Sequence, residues 1–385
     1  MKKILFVCYG LGIGGIETCL VHLLNGLPMD RFDIDVLLMN PEETSKARVR
    51  RPVRYLDAYR YVMNTTDTMR QIREHGGILR EPVRFFEYCR YRLWVKLGLD
   101  AWKTFHKLPV HYDVAVAYSQ NDYSPYYVID KVDADRKVMW YHNGAYEADE
   151  KRYRRDRQYY PRFDYVVAVS SDCKKVLEEK FSFAKEQLIV LRNLCDPESV
   201  WRGAEAGRPS SFTDKGPHIV TVGRLTKEKG ADLAVQACKE LKERWPSLCW
   251  HWVGDGNRRA DIQATIQQER LESSFLLEGD QKNPYPYMKY ADIYVQPSYY
   301  EAYSTTVTEA KILGKPIVTT DVGGMRDQLI DGITGIIVPV SADRIAEAIG
   351  RLLADEALCK AFSARLKKED LSVEPIQAYY QTVFR

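Results

Sequence analysis

Residues able to do chemistry fall at four places along this 385-residue chain. A run of glycines, Gly10-Leu11-Gly12-Ile13-Gly14-Gly15, follows the apolar stretch KKILFV and precedes Glu17. His142 stands at the end of KVMWYHN. Arg224 follows Gly223, and Lys229 follows five residues later, just before Gly230. Glu301 and Glu309 bracket the segment Ala-Tyr-Ser-Thr-Thr-Val-Thr.

Each group suits a particular partner. Arginine offers a planar fork and lysine a point charge, so two cations on one glycine-bounded loop suit a diphosphate and can neutralise a leaving nucleotide without a metal. Solvated surface cations are the other reading, and it fits Lys227 better than the strand-terminal Arg224. A helix beginning near Ser304 would place Glu301 in the loop before it and Glu309 about a turn and a half inside it. The amides of Ser304, Thr305 and Thr306, with Tyr303 on the same loop, would then face phosphate oxygens. Carboxylates accept two hydrogen bonds each and bind sugar hydroxyls well, although a pair of glutamates in isolation more often solvates a helix.

The glycine run formally satisfies the dinucleotide fingerprint, but that site also needs an acid at the end of the second strand. Here the second strand ends at Asn40, with Asp33 and Asp35 near its start. The glycines therefore let the backbone approach a ligand or a partner domain, or serve only a tight turn. His142, at a strand terminus, is placed to donate a hydrogen bond to a sugar hydroxyl or to orient reacting groups. A structural histidine is the competing reading.

Elements able to hold these residues alternate in type along the chain. Short apolar runs typical of buried parallel strands are separated by helical patterns, in two series. The first is KKILFV, DIDVLLMN, DVAVAYS, KVMWYHN, DYVVAVS and QLIVLRN. The second is PHIVTVGR, LCWHWVGDG, FLLEGD, DIYVQPS, KPIVTTD and GIIVPV. The fold class expected is α/β, two doubly wound Rossmann-like domains facing across a cleft, with ligands at the carboxyl ends of the strands. Residues 1–196 form the first, 197–216 a linker, and 217–370 the second. Residues 371–385 form a last helix whose apolar stripe, Ile376, Tyr379, Tyr380 and Phe384, braces the first domain or caps its own.

Composition narrows the class. An apolar share of 45% with 28% charged residues suits a soluble globular protein. The eight cysteines lack a CxxC pair or a metal-like cluster with histidine, as expected for reduced thiols in the cytoplasm. The stretch Ile4 to Val7 is broken by glycines and Glu17, so it is read as neither signal peptide nor membrane span. Residues 46–107 hold fifteen Lys/Arg against six Asp/Glu, a local net of +9 within an overall +3, which leaves −6 for the rest.

Taken together, GGIE, GRLTKEKG, EGDQKNPYPYMKYADIYVQPS, the E-x7-E element, VTTDVGG and DGITG resemble the family 4 retaining glycosyltransferases of GT-B fold. Residues 277–335 are similar to bacterial transferases of capsule, exopolysaccharide or O-antigen assembly. The resemblance implies a UDP- or GDP-sugar donor, no cofactor and no metal. It puts Arg224 and Lys229 on the donor diphosphate, Glu309 on the ribose, and Glu301 and His142 at the transferred sugar, His142 from the opposite domain. It also puts Gly14 and Gly15 against the phosphates when the cleft closes. Gly279, Asp280 and Lys282 would flank the nucleobase, with Asp255 and Arg259 nearby. The family usually has glycine after the first glutamate, whereas this chain has Ala302, which predicts a small shift of that loop.

For such a family the departing phosphate itself serves as base on the same face of the sugar, and the protein supplies orientation and charge. No Asp-x-Asp element stands in a strand context suited to a metal-dependent transferase. The acceptor expected is a glycan or a polyprenyl-diphosphate-linked sugar. In 46–107 the aromatics Tyr55, Tyr59, Tyr61, Phe85, Phe86, Tyr88, Tyr91, Trp94, Trp102 and Phe105 interleave with cations, suiting an anionic membrane surface, unless they are simply core. Nucleic acid is not expected, because no module for it is visible. A second basic run, Lys151 to Arg162, lines the acceptor side or is a solvated helix face. Two other classes stay open from the residues: an NAD-dependent oxidoreductase using the glycine run, and a non-catalytic sugar-nucleotide-binding subunit.

Overall fold

The computed structural model describes residues 1–12, 14–28, 30–40, 46–62, 67–184, 186–213, 215–369 and 382–384. They divide into two compact units. The first holds residues 1–169 and 174–191 with the described tail residues 382–384, and the second holds 170–173 and 192–369.

In the first unit the described strands are β1 (Lys2–Cys8), β2 (Phe32–Leu38), β3 (Arg54–Tyr55), β4 (His111–Ala117), β5 (Asp133–Tyr141), β6 (Tyr165–Ala168) and β7 (Leu188–Val190). They form one parallel sheet in the order β3-β2-β1-β4-β5-β6-β7. Ile4, Leu5, Phe6 and Val7 of β1 are wholly buried, as expected for a strand covered on both faces. The two-residue edge strand β3 was not foreseen. Its register is fixed by an ion pair, Arg54 to the fully buried Asp35 at 2.5 Å, and Asp35 also accepts from the Tyr112 hydroxyl at 2.7 Å. Asp35 is thus committed to the fold.

The basic segment folds around the helix Pro82–Lys96. Of its aromatics, Tyr91, Trp102 and Phe105 are core, correcting the expectation that they face outward. Trp102 stacks on Tyr126 at 4.5 Å and donates its indole N–H to Asp130 at 3.0 Å, which meets the polar requirement of a buried indole. Phe86 remains outside, 68% exposed. Ile376, Tyr379 and Tyr380 lie outside the described residues. Phe384 is buried in the first unit, 5.7 Å from Phe32 and 6.3 Å from Phe6, while the Val383 carbonyl accepts from Arg136 at 3.1 Å.

The strands of the second unit are β8 (His218–Val222), β9 (Cys249–Val253), β10 (Phe275–Gly279), β11 (Ile293–Gln296), β12 (Ile317–Thr320) and β13 (Ile336–Val338). They too are all parallel, in the order β10-β9-β8-β11-β12-β13, so the direction of winding reverses between β8 and β11. Trp250 and Trp252 point to one face of β9 and are fully buried against the helices Ala231–Arg244 and Ala342–Ala354. Trp252 donates to the Gly223 carbonyl at 2.9 Å and so supports the loop after β8 from below.

The stretch 197–216 is not a free linker. Asp196 caps a helix, Pro197–Ala204, whose Val200 and Ala204 are buried in the second unit. Beyond it, the Thr213 carbonyl accepts from His218 Nε2 at 2.7 Å, His218 Nδ1 faces His251 Nε2 at 2.8 Å, and His251 Nδ1 faces Glu278 at 2.8 Å. Both ends of this chain are acceptors, so its three hydrogen bonds need one proton more than two neutral imidazoles carry. All eight cysteines are free thiols.

Candidate functional site

Residues from the ends of β8, β9, β10, β11 and β12 meet along the carboxyl edge of the second sheet, at the reversal between β8 and β11. Gly230, at φ +70°, ends the turn after β8, and a Cβ there would lie 2.0 Å from the Pro297 carbonyl. The β8 loop and the β11 loop are therefore in backbone contact, and Tyr299 N–H donates to the Glu228 carbonyl at 2.8 Å across the same seam.

Lys229 and Glu301 meet at that seam, Nζ to Oε1 at 2.5 Å, with side chains only 20% and 8% exposed. The same Oε1 accepts from Ser298 Oγ at 2.9 Å and Gln296 Nε2 at 3.2 Å. Gln296 Oε1 in turn accepts from Thr306 Oγ1 at 3.1 Å and lies 2.6 Å from the Tyr294 hydroxyl. One buried amide thus ties the carboxylate to the start of the next helix. Sequence reading missed Tyr294, Gln296 and Ser298. Their signal was available, since polar residues at the end of an apolar strand (Tyr294, Gln296, Ser298) have to be hydrogen-bonded to something when buried.

The helix Thr305–Ile312 begins as expected, with Ser304 as its cap accepting from Val307 N–H. The Gln328 amide clips that cap from the other side, accepting from Ser304 N–H at 2.8 Å and donating to its carbonyl at 2.7 Å. Glu309 is 4% exposed and accepts from the Tyr285 hydroxyl at 3.1 Å. Both glutamates are therefore enclosed, which rules out the reading that they merely solvate a helix. Tyr303 lies half-buried on the loop before the cap.

Ala302 is accommodated because it is not at positive φ, and the room is found opposite it. Gly323, at φ +46°, faces the Glu301 carbonyl so closely that a Cβ would lie 1.6 Å away, and at Gly324 it would lie 2.2 Å from the Ala302 carbonyl. The glycine pair of VTTDVGG thus clamps the loop carrying Glu301.

Arg224 is 68% exposed and reaches Glu228 at 3.3 Å, a loose contact that an anion can displace. On the β9 and β10 side, Arg259 pairs with Asp255 at 3.2 Å, Asp280 accepts from the Asp255 amide at 2.9 Å, and the Gly279 carbonyl accepts from Gly254 N–H at 2.8 Å. These residues form one rim, with Lys282 exposed beyond it. The Leu225 amide donates to the Asp255 carbonyl at 2.9 Å, so the rim joins the β8 loop.

Three expected residues belong to the first unit. None of Gly10, Gly12, Gly14 or Gly15 has positive φ, and a Cβ on Gly12 would meet nothing within 4 Å. A Cβ on Gly14, by contrast, would lie 2.3 Å from the Glu17 carboxylate, so that glycine makes room for Glu17. Gly15 opens the helix Gly15–Gly26. His142 is 9% exposed, and its Nε2 lies 3.1 Å from the Tyr118 carbonyl. A carbonyl only accepts, so Nε2 carries the proton and Nδ1, which has no partner, presents a lone pair. Burial pulls its pKa down to about 4, so the ring is neutral. Its N–H is thus engaged by the Tyr118 carbonyl, and its Nδ1 is buried.

Each unit is a parallel α/β sheet, and the second carries a paired cation and carboxylate at its switch point. The chain matches the family described as Glycosyltransferase Family 4 over residues 13–199 and that described as Glycosyl transferases group 1 over residues 205–369. It belongs to the family 4 glycosyltransferases of GT-B fold. One similar protein is the N-acetylgalactosamine-N,N'-diacetylbacillosaminyl-diphospho-undecaprenol 4-alpha-N-acetylgalactosaminyltransferase of Campylobacter jejuni, 25% identical over 95% of this chain and 94% of its own length. An uncharacterised glycosyltransferase of Methanocaldococcus jannaschii is 25% identical over 43% of this chain, and the match spans only 41% of that protein. In fold, the chain resembles Anabaena HepE, crystallised with UDP and glucose, at a TM-score of 0.74 and 17% identity over all of both chains.

Proposed function

We propose that the chain transfers a hexose, with retention of configuration and without a metal, from a UDP- or GDP-sugar to a glycan or polyprenyl-diphosphate-linked acceptor in surface polysaccharide synthesis. The observation carrying this reading is the enclosed Lys229–Glu301 pair, coupled through Gln296 to the helix start at Ser304. A diphosphate arriving at Arg224, Lys229 and the amides of Thr305 and Thr306 would meet a cation held by Glu301, a second on a loose surface contact, and a helix start, the charge needed by a departing nucleotide. Glu301 then faces the hydroxyls of the sugar and Glu309 those of the ribose. The departing phosphate takes the acceptor proton. The competing dehydrogenase reading lacks its acid, because Asp35 is spent on Arg54 and Tyr112.

Melting temperature in the presence of UDP- and GDP-sugars and of NAD, followed by an assay for donor hydrolysis, tests the reading. One sugar nucleotide should stabilise the protein and be turned over. Stabilisation by NAD alone would overturn it.

A lipid-linked acceptor is supported by the outer face of the helix Pro82–Lys96. Val83, Phe86 and Leu93 share one side with Leu97 just beyond, at 71%, 68%, 53% and 62% exposure, with Arg90 among them and Arg92 and Lys96 beside them. An exposed apolar stripe beside cations suits the boundary of an anionic leaflet. Among the described residues no helix is long and apolar enough to cross a membrane. Flotation with anionic vesicles should retain the parent and lose Phe86→Glu/Leu93→Glu; equal flotation of both would count against the stripe.

A further inference from the structure

The first unit contains a cavity of about 360 Å³, within the ~300–1,000 Å³ usual for small-ligand sites. Its walls are aromatic: Tyr91 and Phe105 from the basic segment, with Tyr9, Tyr123 and Tyr126. Two arginines of the helix Glu150–Tyr159 complete it. They are not equivalent. Arg152 is spent on Asp156 at 3.4 Å and the Gln120 carbonyl at 2.7 Å. Arg155 makes no ion pair among the described residues, and its Nε has no hydrogen-bond partner. It is held half-buried by stacking on Tyr126 at 4.6 Å and Trp102 at 5.0 Å.

At the other wall stands Asp122, whose Oδ1 accepts from Ser124 N–H at 2.6 Å while Oδ2 is buried without a hydrogen bond of its own. Asp122, Tyr9 and Asn121 also line an adjoining cavity of about 270 Å³ that reaches Gly10 and Glu17 of the glycine loop. The carboxylate therefore stands between the glycine loop and the aromatic cavity. Burial pushes its pKa up to about 6, a cost a fold has no reason to keep unless something uses the group.

We propose that this cavity seats the acceptor as a pyranose bearing an anionic group, with the anion on Arg155, the ring against the tyrosines, and a hydroxyl other than the attacking one donating to Asp122. The assignment rests on the glycosyl-transfer reading and adds the charge class of the acceptor. A half-buried guanidinium that touches the Tyr126 hydroxyl and aromatic faces but pairs with no carboxylate among the described residues favours a bidentate anion over a neutral ligand. Phosphate and carboxylate share that chemistry.

Binding of N-acetylglucosamine 1-phosphate, glucuronic acid, methyl glucoside and inorganic phosphate to the full chain, measured by saturation-transfer NMR titration, tests the assignment. The parent should bind one of the two anionic pyranoses at least tenfold more tightly than methyl glucoside. A preference for the sugar phosphate identifies a phosphoryl group as the natural anion, and the reverse identifies a uronic acid. Arg155→Gln should abolish that gap and Arg155→Lys restore part of it. Asp122→Asn should weaken all three pyranoses and leave inorganic phosphate unchanged. Near-ultraviolet circular dichroism and UDP binding, measured on the same variants, should match the parent, showing that the aromatic core of the first unit and the second unit are both folded. Failure of UDP to bind the parent sinks the donor site instead, and leaves the acceptor titrations readable. The assignment is overturned if methyl glucoside binds as well as the anionic sugars, if the gap survives Arg155→Gln, or if no pyranose binds the parent.

Discussion

Replacing Lys229 by methionine keeps most of the side-chain volume and removes only the charge from its contact with Glu301. In the parent, Glu301 Oε1 receives three donors, of which Lys229 Nζ at 2.5 Å is the only cation. The variant leaves a carboxylate, 8% exposed, with two neutral donors. Stranding one member of a buried pair costs ~3–5 kcal/mol, and the 20% exposure of Lys229 puts this case at the lower end, about 2–3 kcal/mol. Glu301→Gln should cost less, about 1 kcal/mol, because the amide oxygen can still accept and Lys229 can turn to water. The double variant should cost less than the sum, giving a coupling of about 1–2 kcal/mol. Urea unfolding followed through the fluorescence of Trp250 and Trp252, both in the second core, measures all three. A loss below ~0.5 kcal/mol for Lys229→Met, with no coupling, would mean that the pair is a solvated contact and would refute the reasoning.

Other consequences can be checked beside it. Gly323→Ala puts a methyl against the Glu301 carbonyl, where 1.6 Å is available, so donor turnover should fall by tenfold or more while the first unit's stability is unchanged; parental turnover would contradict the clamp. His142 and Asp122 act on stability in opposite senses. The depressed histidine pKa means the unfolded chain takes up a proton first, so stability is lost as pH falls from 6.5 to about 4, by ~3 kcal/mol. The raised carboxyl pKa means the unfolded chain ionises first, so stability is lost as pH rises from 3.8 to about 6, again by up to ~3 kcal/mol. The two largely cancel in the parent. His142→Gln should therefore lose stability as pH rises from 4 to 6, and Asp122→Asn as pH falls through the same range; flat profiles for both would show that neither group is perturbed.

Much of this architecture could be read from residue order. Runs such as KKILFV and PHIVTVG are apolar on both faces, and only a sheet covered twice by helices accommodates them. The start at Ser304 followed from its place before a helical pattern. Edge strand β3 was invisible because two residues, Arg54 and Tyr55, carry no periodicity and their strand is set by a distant carboxylate, Asp35. The helix Pro197–Ala204 was hidden in a polar, glycine- and proline-containing stretch whose two informative residues, Val200 and Ala204, matter only against the second core. Within the site, the cations and glutamates could be picked out by charge. Gln296 and Ser298 carry no charge; their place at the end of an apolar strand marked them as hydrogen-bonded, but which oxygen they serve across the seam is set by the fold. Arg155 looked like one of several surface cations until its aromatic neighbours, Trp102 and Tyr126 from two separate elements, were in place.

The central claim is that Arg224, Lys229 and the helix start at Ser304 recognise a nucleotide through its second phosphate. Calorimetric titration of the parent and Arg224→Ala with UDP, UMP, GDP and GMP tests it most directly. For one base, the parent should bind the diphosphate at least tenfold more tightly than the monophosphate, and Arg224→Ala should lose most of that difference. Equal affinity of the parent for mono- and diphosphates, or a difference left intact in the variant, would contradict the account.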